Sequence, residues 1–119
     1  MTKATDTLER LRTRLAHFAA ERDWKQFHNP KNLAMALAGE AGELLEHFQW
    51  LTFEQAARLP RGARAEVALE AADVLLFLVR LCDELDIDLA AACEKKLALN
   101  AKNYPVHKSR GRATKYNKL

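Results

Sequence analysis

The stretch NPKNLAMALAGEAGELLEHF, residues 29–48, decides the fold. Asn29 suits a helix cap, and Pro30 suits the first turn, where its missing N–H has no intrahelical partner to lose. Leu33, Leu37, Leu44 and Phe48 then recur at helical spacing and draw one apolar face. Glu40 and Glu43 are three residues apart and lie on that same face. The stretch therefore predicts a helix that points two carboxylates toward the core side.

The same reading extends in both directions. Upstream, Leu8, Leu11, Leu15 and Phe18 share a helical face, with Asp6 as a candidate cap, and the pattern fades near Trp24. The segment from Trp24 to Pro30 reads as a loop, because the residue before a proline avoids the helical region. Downstream, Thr52 and Gln55 have capping-box spacing for a short helix, and Pro60 and Gly62 break the chain. The longest apolar pattern runs from about Arg64 to Leu85, dominated by Val67, Val74, Phe77, Leu78 and Leu81. Asp86 or Asp88 suits the cap of a last long helix from Leu89 to Asn103, which Tyr104-Pro105 ends. There is no alternating strand pattern, hairpin signal, internal repeat or low-complexity segment. The expectation is an all-α protein with a four-helix core and a short additional helix. Residues 1–104 would form that domain and 105–119 a basic tail.

A second acid pair, Glu70 and Asp73, repeats the spacing of the first and shares its face with Val67, Val74, Phe77 and Leu81. An unpaired buried carboxylate costs several kcal/mol, and four facing one another would repel and in part take up protons. A divalent cation resolves both problems. Oxygen ligands without histidine suit Mg²⁺, or Mn²⁺, better than zinc. The competing reading is four solvated surface acids, as expected for Glu46, Glu54, Asp83 and Glu84. Gly39 and Gly42 interleave the first pair. Each costs the helix about 1 kcal/mol relative to Ala, and with Ala34, Ala38 and Ala41 they make a small-residue face that permits close helix approach, with or without a function.

Composition is that of a globular protein: 119 residues, 49% hydrophobic and 29% charged. No run of roughly 18 apolar residues suggests a membrane span, and the charged N-terminus lacks a signal-peptide core. A cytoplasmic location follows as the expectation, with Cys82 and Cys93 as buried free thiols on apolar helices. Charge is unevenly placed. Residues 1–94 carry 11 Lys/Arg and all 16 Asp/Glu, a net −5, whereas residues 95–119 carry eight Lys/Arg and no acid. A basic end on an acidic body suits nucleic acid or the phosphates of a small ligand, or is a solvated tail.

Lys96, Asn100 and Tyr104 follow at intervals of four in the last helix, where a lysine and an amide can meet phosphate oxygens or the lysine can reach solvent along its stem. Trp24, Phe27 and His28 cluster in the first loop and Trp50 follows the second helix. These aromatic residues either stack on a base or pack helix ends. A phosphate-binding GxxxxGK[ST] loop, a GxSxG elbow and a Ser-His-Asp grouping are all missing from the sequence.

Taken together, GEAGELLEHFQW, the ExxD at Glu70–Asp73 and the KxxxNxxxYP at Lys96–Pro105 make a specific combination. The chain resembles the all-α NTP pyrophosphohydrolases of the MazG-like superfamily, nearest the dCTP pyrophosphatase branch, over almost its whole length. The resemblance implies that Glu40, Glu43, Glu70 and Asp73 are Mg²⁺ ligands. It implies that Lys96, Asn100 and Tyr104 engage the nucleotide, chiefly its phosphates, and that Trp24, His28 and Trp50 enclose the base. It further implies cleavage between the α and β phosphates, assembly as a homodimer or homotetramer, and a house-cleaning role in the nucleotide pool. Phe77 stands where the vertebrate branch has tyrosine, which removes a hydroxyl near the acid cluster.

On that basis Glu43 is the candidate for orienting the attacking water. Lys96, with tail residues such as Lys108 or Arg110, would balance charge on departing pyrophosphate. Two rivals remain. A non-catalytic helical interaction module with a nucleic-acid-binding basic tail would show salt-dependent binding and no turnover. A di-iron carboxylate bundle normally needs Glu-x-x-His pairs, and neither Glu70 nor Asp73 has a histidine three or four residues on.

Overall fold

A computed structural model describes residues 3–119, with side chains from Thr7 onward. The chain divides into two compact units, Met1–Ile87 and Asp88–Leu119. In the first unit α1 spans Lys3–Glu21, α2 Pro30–Glu46, α3 Phe53–Ala57 and α4 Arg61–Glu84. The second holds α5, Leu89–Asn103, a one-turn α6, Val106–Ser109, and a final 3₁₀ turn, Tyr116–Lys118. Among the described residues there is no strand, and no helix is long and apolar enough to cross a membrane. The four long helices and the short α3 are those the sequence predicts. Three of the four pack in the first unit, and the fourth opens the second. The tail beyond Tyr104 is not a bare extension, because it adds two short turns of helix.

Local chemistry sets the boundaries. Asn29 is extended and its side chain accepts from the Asn32 N–H at 2.8 Å, while Pro30 occupies the first turn. Thr52 and Gln55 form the reciprocal capping box of α3. Asp88, not Asp86, caps α5 by accepting from the Ala91 N–H. Asp86 instead ends α4. It takes φ 54°, and the Ile87 N–H reaches back to the Cys82 carbonyl while the Asp86 N–H reaches that of Asp83. Asp23 ends α1 in the same way, at φ 54°, with the Trp24 N–H donating to the Ala19 carbonyl and the Asp23 N–H to that of Ala20. Left-handed backbone at a helix end normally falls to glycine, and aspartate is among the few other residues that tolerate it. Asp6 is not a cap, because α1 already begins at Lys3.

α4 is the central helix of the first unit and packs against both α2 and α1. The buried apolar residues are Ala19 of α1, Leu33 of α2, and Val79 and Cys82 of α4. Beside them lies a buried cation, Arg80, with only 4% of its surface exposed. Its Nη1 donates to Asp83 Oδ2 at 3.0 Å, its Nη2 to Glu84 Oε1 at 2.6 Å and its Nε to His28 Nδ1 at 3.3 Å. Arg12 of α1 adds a donor to Asp83 Oδ1 at 3.3 Å and is itself held by Glu9. Asp83 and Glu84 are therefore not the solvated acids expected from the sequence. Their spacing of three and four from Arg80 puts all three on one helical face, and burial of the arginine draws both carboxylates in. Cys82 is buried as expected, but Cys93 is exposed, since no residue of α5 is buried.

Arg80→Met would leave Glu84 without its cation and Asp83 with Arg12 alone. Breaking a buried pair from one side typically costs about 3–5 kcal/mol. A fall in the urea midpoint at unchanged slope, equivalent to at least about 2 kcal/mol with the acids partly hydrated, is the expected outcome. An unchanged midpoint would show the network to be dispensable.

Candidate active site

Packing of α2 against α4 brings together the two acid pairs. Carboxylate oxygens of Glu40, Glu43 and Glu70 all lie within 4.8 Å of one another. Glu40 and Glu70 are half-buried, whereas Glu43 and Asp73 are exposed at the edge of the cluster. Glu40 Oε2 and Glu70 Oε2 are buried oxygens, and neither has a hydrogen-bond partner among the described residues. Asp73 falls outside the tight triad but is near enough for its charge to act on Glu40.

The Glu40 carboxyl is accordingly pushed up to about 7 from an ordinary 4.5. Burial is the largest cause, followed by the Glu43 carboxylate against it, then Glu70 and the charge of Asp73. Unsatisfied buried oxygens and mutual repulsion are what the chain would show where a cation is meant to sit. The donor set is all oxygen, which fits a hard divalent ion. Glu40, Glu43 and Glu70 are the residues able to hold it, with Asp73 beside them.

A cavity of about 850 Å³ opens next to Asp73 between α1 and α4, under the loop that follows α1. Its apolar wall includes Leu15, Phe18, Trp24, Leu76 and Phe77. Trp24 meets Phe18 edge to face at 5.7 Å and is tilted against His28 at 6.0 Å. The turn after Asp23 fixes that position, and the Phe27 and His28 N–H groups return to the Trp24 carbonyl. His28 and Arg80 supply polar groups on the cavity wall. Burial holds the His28 imidazole below its ordinary value, with the Arg80 charge acting the same way and Glu84 partly opposing. Trp24 and His28 thus line one cavity, but Trp50 does not; it stands 86% exposed after α2.

In the second unit, Lys96 is exposed on α5, Asn100 is half-buried, and Tyr104 ends the helix with its N–H on the Asn100 carbonyl. The Tyr104 ring meets Tyr116 edge to face at 5.9 Å. Gly39 and Gly42 do not mediate the close approach expected of them within the chain, since a Cβ at either would meet nothing within 4 Å. His17 and His47 do have acidic neighbours, Glu21 at 3.3 Å and Glu66 at 4.0 Å, the first being readable as an i, i+4 pair.

Residues 36–119 match the MazG-like family, and the chain belongs to it. It is 48% identical over 115 residues to dCTP pyrophosphatase 1 of Mus musculus, a match that covers 95% of this chain and 68% of that protein. The protein of the same name from Homo sapiens is 45% identical over 117 residues, with the same coverage. Among solved structures, a pyrophosphatase from Archaeoglobus fulgidus has the same fold at a TM-score of 0.78 and 37% identity, over 83% of this chain and 93% of that one.

The raised Glu40 carboxyl makes metal binding compete with a proton. The sign is fixed. Below about pH 7 Glu40 holds its proton, and above it the site is open. Without metal, the stability contributed by this protonated group is fully present below pH 4.5 and is lost as pH rises through 7. With metal, Mn²⁺ affinity measured by calorimetry should weaken about tenfold between pH 8 and pH 6, with up to one proton released per ion near neutrality. An affinity flat across that range would contradict the proton competition.

Proposed function

We propose that this chain is a nucleoside triphosphate pyrophosphatase that acts on dCTP, releasing dCMP and pyrophosphate, with Mg²⁺ or Mn²⁺ as its metal. The observation that carries the reading is the pair of buried, partnerless oxygens on Glu40 and Glu70, set beside an apolar cavity walled by Trp24 and Phe77. A triphosphate joins a charged end to an aromatic end, and the site has the matching two ends. The family and the named relatives give the substrate its identity.

The divalent ion, when bound, supplies the positive charge that lets an acidic cluster accept a polyanion and that acidifies water. Glu40 and Glu70, the half-buried pair, are the anchors. Glu43 is exposed at the edge of the triad, which suits it to orient a water and accept its proton as the oxygen attacks the α phosphorus. The α–β bridging oxygen then leaves with pyrophosphate. Trp24 and Phe77 hold the base in the cavity, which fixes where the α phosphorus sits along α4. Lys96, Asn100 and Tyr104 are proposed as phosphate contacts, and Trp50 as a second aromatic wall for the base.

Self-association is part of this reading. Trp50, Phe53 and Leu69 are 86%, 97% and 71% exposed. A soluble monomer rarely leaves several large apolar side chains this bare. A homodimer or homotetramer would cover them and is the setting in which Trp50 and the α5 residues would act.

Pyrophosphate release from dCTP, measured after chelation and metal add-back, tests the assignment. Glu40→Gln and Glu70→Gln are each expected to lower kcat by at least about a hundredfold, roughly 2.7 kcal/mol of transition-state stabilisation. Full turnover in excess EDTA would rule out the metal mechanism. Sedimentation at micromolar concentration should give a species larger than the 13.5 kDa chain.

A further inference from the structure

Arg80 is an unusual wall for an apolar cavity. It is buried, yet it lines the same space as Trp24, His28 and Phe77. A guanidinium has five N–H donors. Three are engaged, by Asp83, Glu84 and His28, and the other two have no acceptor among the described residues. The network sets two guanidiniums, Arg12 and Arg80, against three carboxylates, Glu9, Asp83 and Glu84, which leaves no surplus positive charge to attract phosphate. What remains is donor capacity on a side chain that lines the cavity.

The contact with His28 fixes a second donor. Arg80 Nε donates to Nδ1, so that nitrogen carries the lone pair, and the imidazole proton sits on Nε2. His28 also lines the cavity. Two adjacent donor-bearing side chains thus line one part of the cavity. The carboxylates of Asp83 and Glu84 stay outside it, and the rim acid Glu21 is paired with His17.

Position along α4 adds a length. Asp73, Phe77 and Arg80 are spaced four and three apart and all line the cavity. At 1.5 Å rise per residue, Arg80 lies about 10 Å along the axis from Asp73. That is comparable to the reach from the α phosphate of a nucleotide to the far edge of its base. An acidic end that holds phosphates and a donor end that meets the base edge are at matching separation.

Resting on the pyrophosphatase reading above, we propose that Arg80 is a specificity-determining residue. Together with the Nε2–H of His28, it donates hydrogen bonds to the adjacent acceptors N3 and O2 of cytosine. Among the pyrimidines only cytosine presents two adjacent acceptors there; uracil and thymine place an N–H at N3, which would face a donor. A site built of donors rejects such a base strongly, because one of its own N–H groups is left unpaired.

Arg80→Met is a poor probe because it also unseats Asp83 and Glu84. The test therefore pairs the wild-type chain and Arg80→Lys with dCTP, 3-deaza-dCTP, in which N3 is a C–H, and dUTP. Wild type should use 3-deaza-dCTP and dUTP at least tenfold less efficiently than dCTP in kcat/KM, with most of the loss in KM. Arg80→Lys keeps the charge but not the planar fork. It should lose efficiency on dCTP and narrow the gap to both analogues to threefold or less. Equal use of dCTP and 3-deaza-dCTP by wild type overturns the proposal whether or not the variant folds. So does a variant that folds and keeps the full gap. If no triphosphate is hydrolysed at all, the pyrophosphatase reading fails and this proposal fails with it; hydrolysis without discrimination removes Arg80 alone.

Discussion

Carboxylates on the packed side of two helices set the terms for the first unit. Burial of α2 on α4 removes Glu40 Oε2 and Glu70 Oε2 from water and gives neither a hydrogen-bond partner among the described residues. An isolated cost of this kind selects against a fold unless something returns it. The chain alone has one response, which is to keep a proton on Glu40 near neutrality. A divalent cation would be the other, and in the proposed mechanism it would turn an unfavourable contact into the anchor of a phosphate site. The proposed mechanism needs no dedicated loop or motif because the helix–helix interface already does the positioning.

The opposite solution appears three turns away on the same helix. At Arg80 the buried charge is a cation, and the chain itself supplies the counter-charges, Asp83 and Glu84. α4 thus carries an unsatisfied acidic end and a charge-balanced basic end, and Phe77 of the cavity wall lies between them. One end is open to an ion and the other is closed to it. That asymmetry gives the cavity its polarity, and the proposed mechanism uses it: a polyanion with its metal would sit at the acidic end and a neutral ring at the other.

Much of this was legible in the residues, for identifiable reasons. Caps are local, so Asn29 and Thr52 marked helix starts by themselves, whereas Asp86 and Asp88 were equal candidates for the last until the left-handed backbone of Asp86 assigned it to the end of α4. The acid pairs were legible because Glu40–Glu43 and Glu70–Asp73 broke an otherwise apolar face, a contradiction visible without coordinates. Arg80 was not legible as a buried cation, because its spacing of three and four from Asp83 and Glu84 is equally that of a solvated charged stripe. Its partners were misread as solvated for the same reason. The cavity was not legible, since it needs α1, α4 and the turn after Asp23 to converge. Asp23 gave little warning, because a left-handed residue is expected to be glycine.

The side chains that fit least well in a single chain are the aromatic and aliphatic ones at the surface. Trp50 and Phe53 follow α2 directly, Leu69 sits beside Glu70, and Gly39 and Gly42 leave open space where a Cβ would be. All of them lie on, or on the chain between, α2, α3 and α4, and α2 and α4 carry the acid cluster. Fully burying one such side chain is worth about 1.5–3 kcal/mol, so leaving three exposed forgoes more than a small domain can readily spare from a net stability of about 5–15 kcal/mol. A second copy laid over this surface would recover that burial and would give the bare glycine stripe a neighbour. It would also restrict solvent access to the acid cluster on the adjoining face, which strengthens every charge interaction there. Under the proposed self-association, assembly and catalysis would be linked through α2: the helix that carries Glu40 and Glu43 leads into the exposed Trp50 and Phe53.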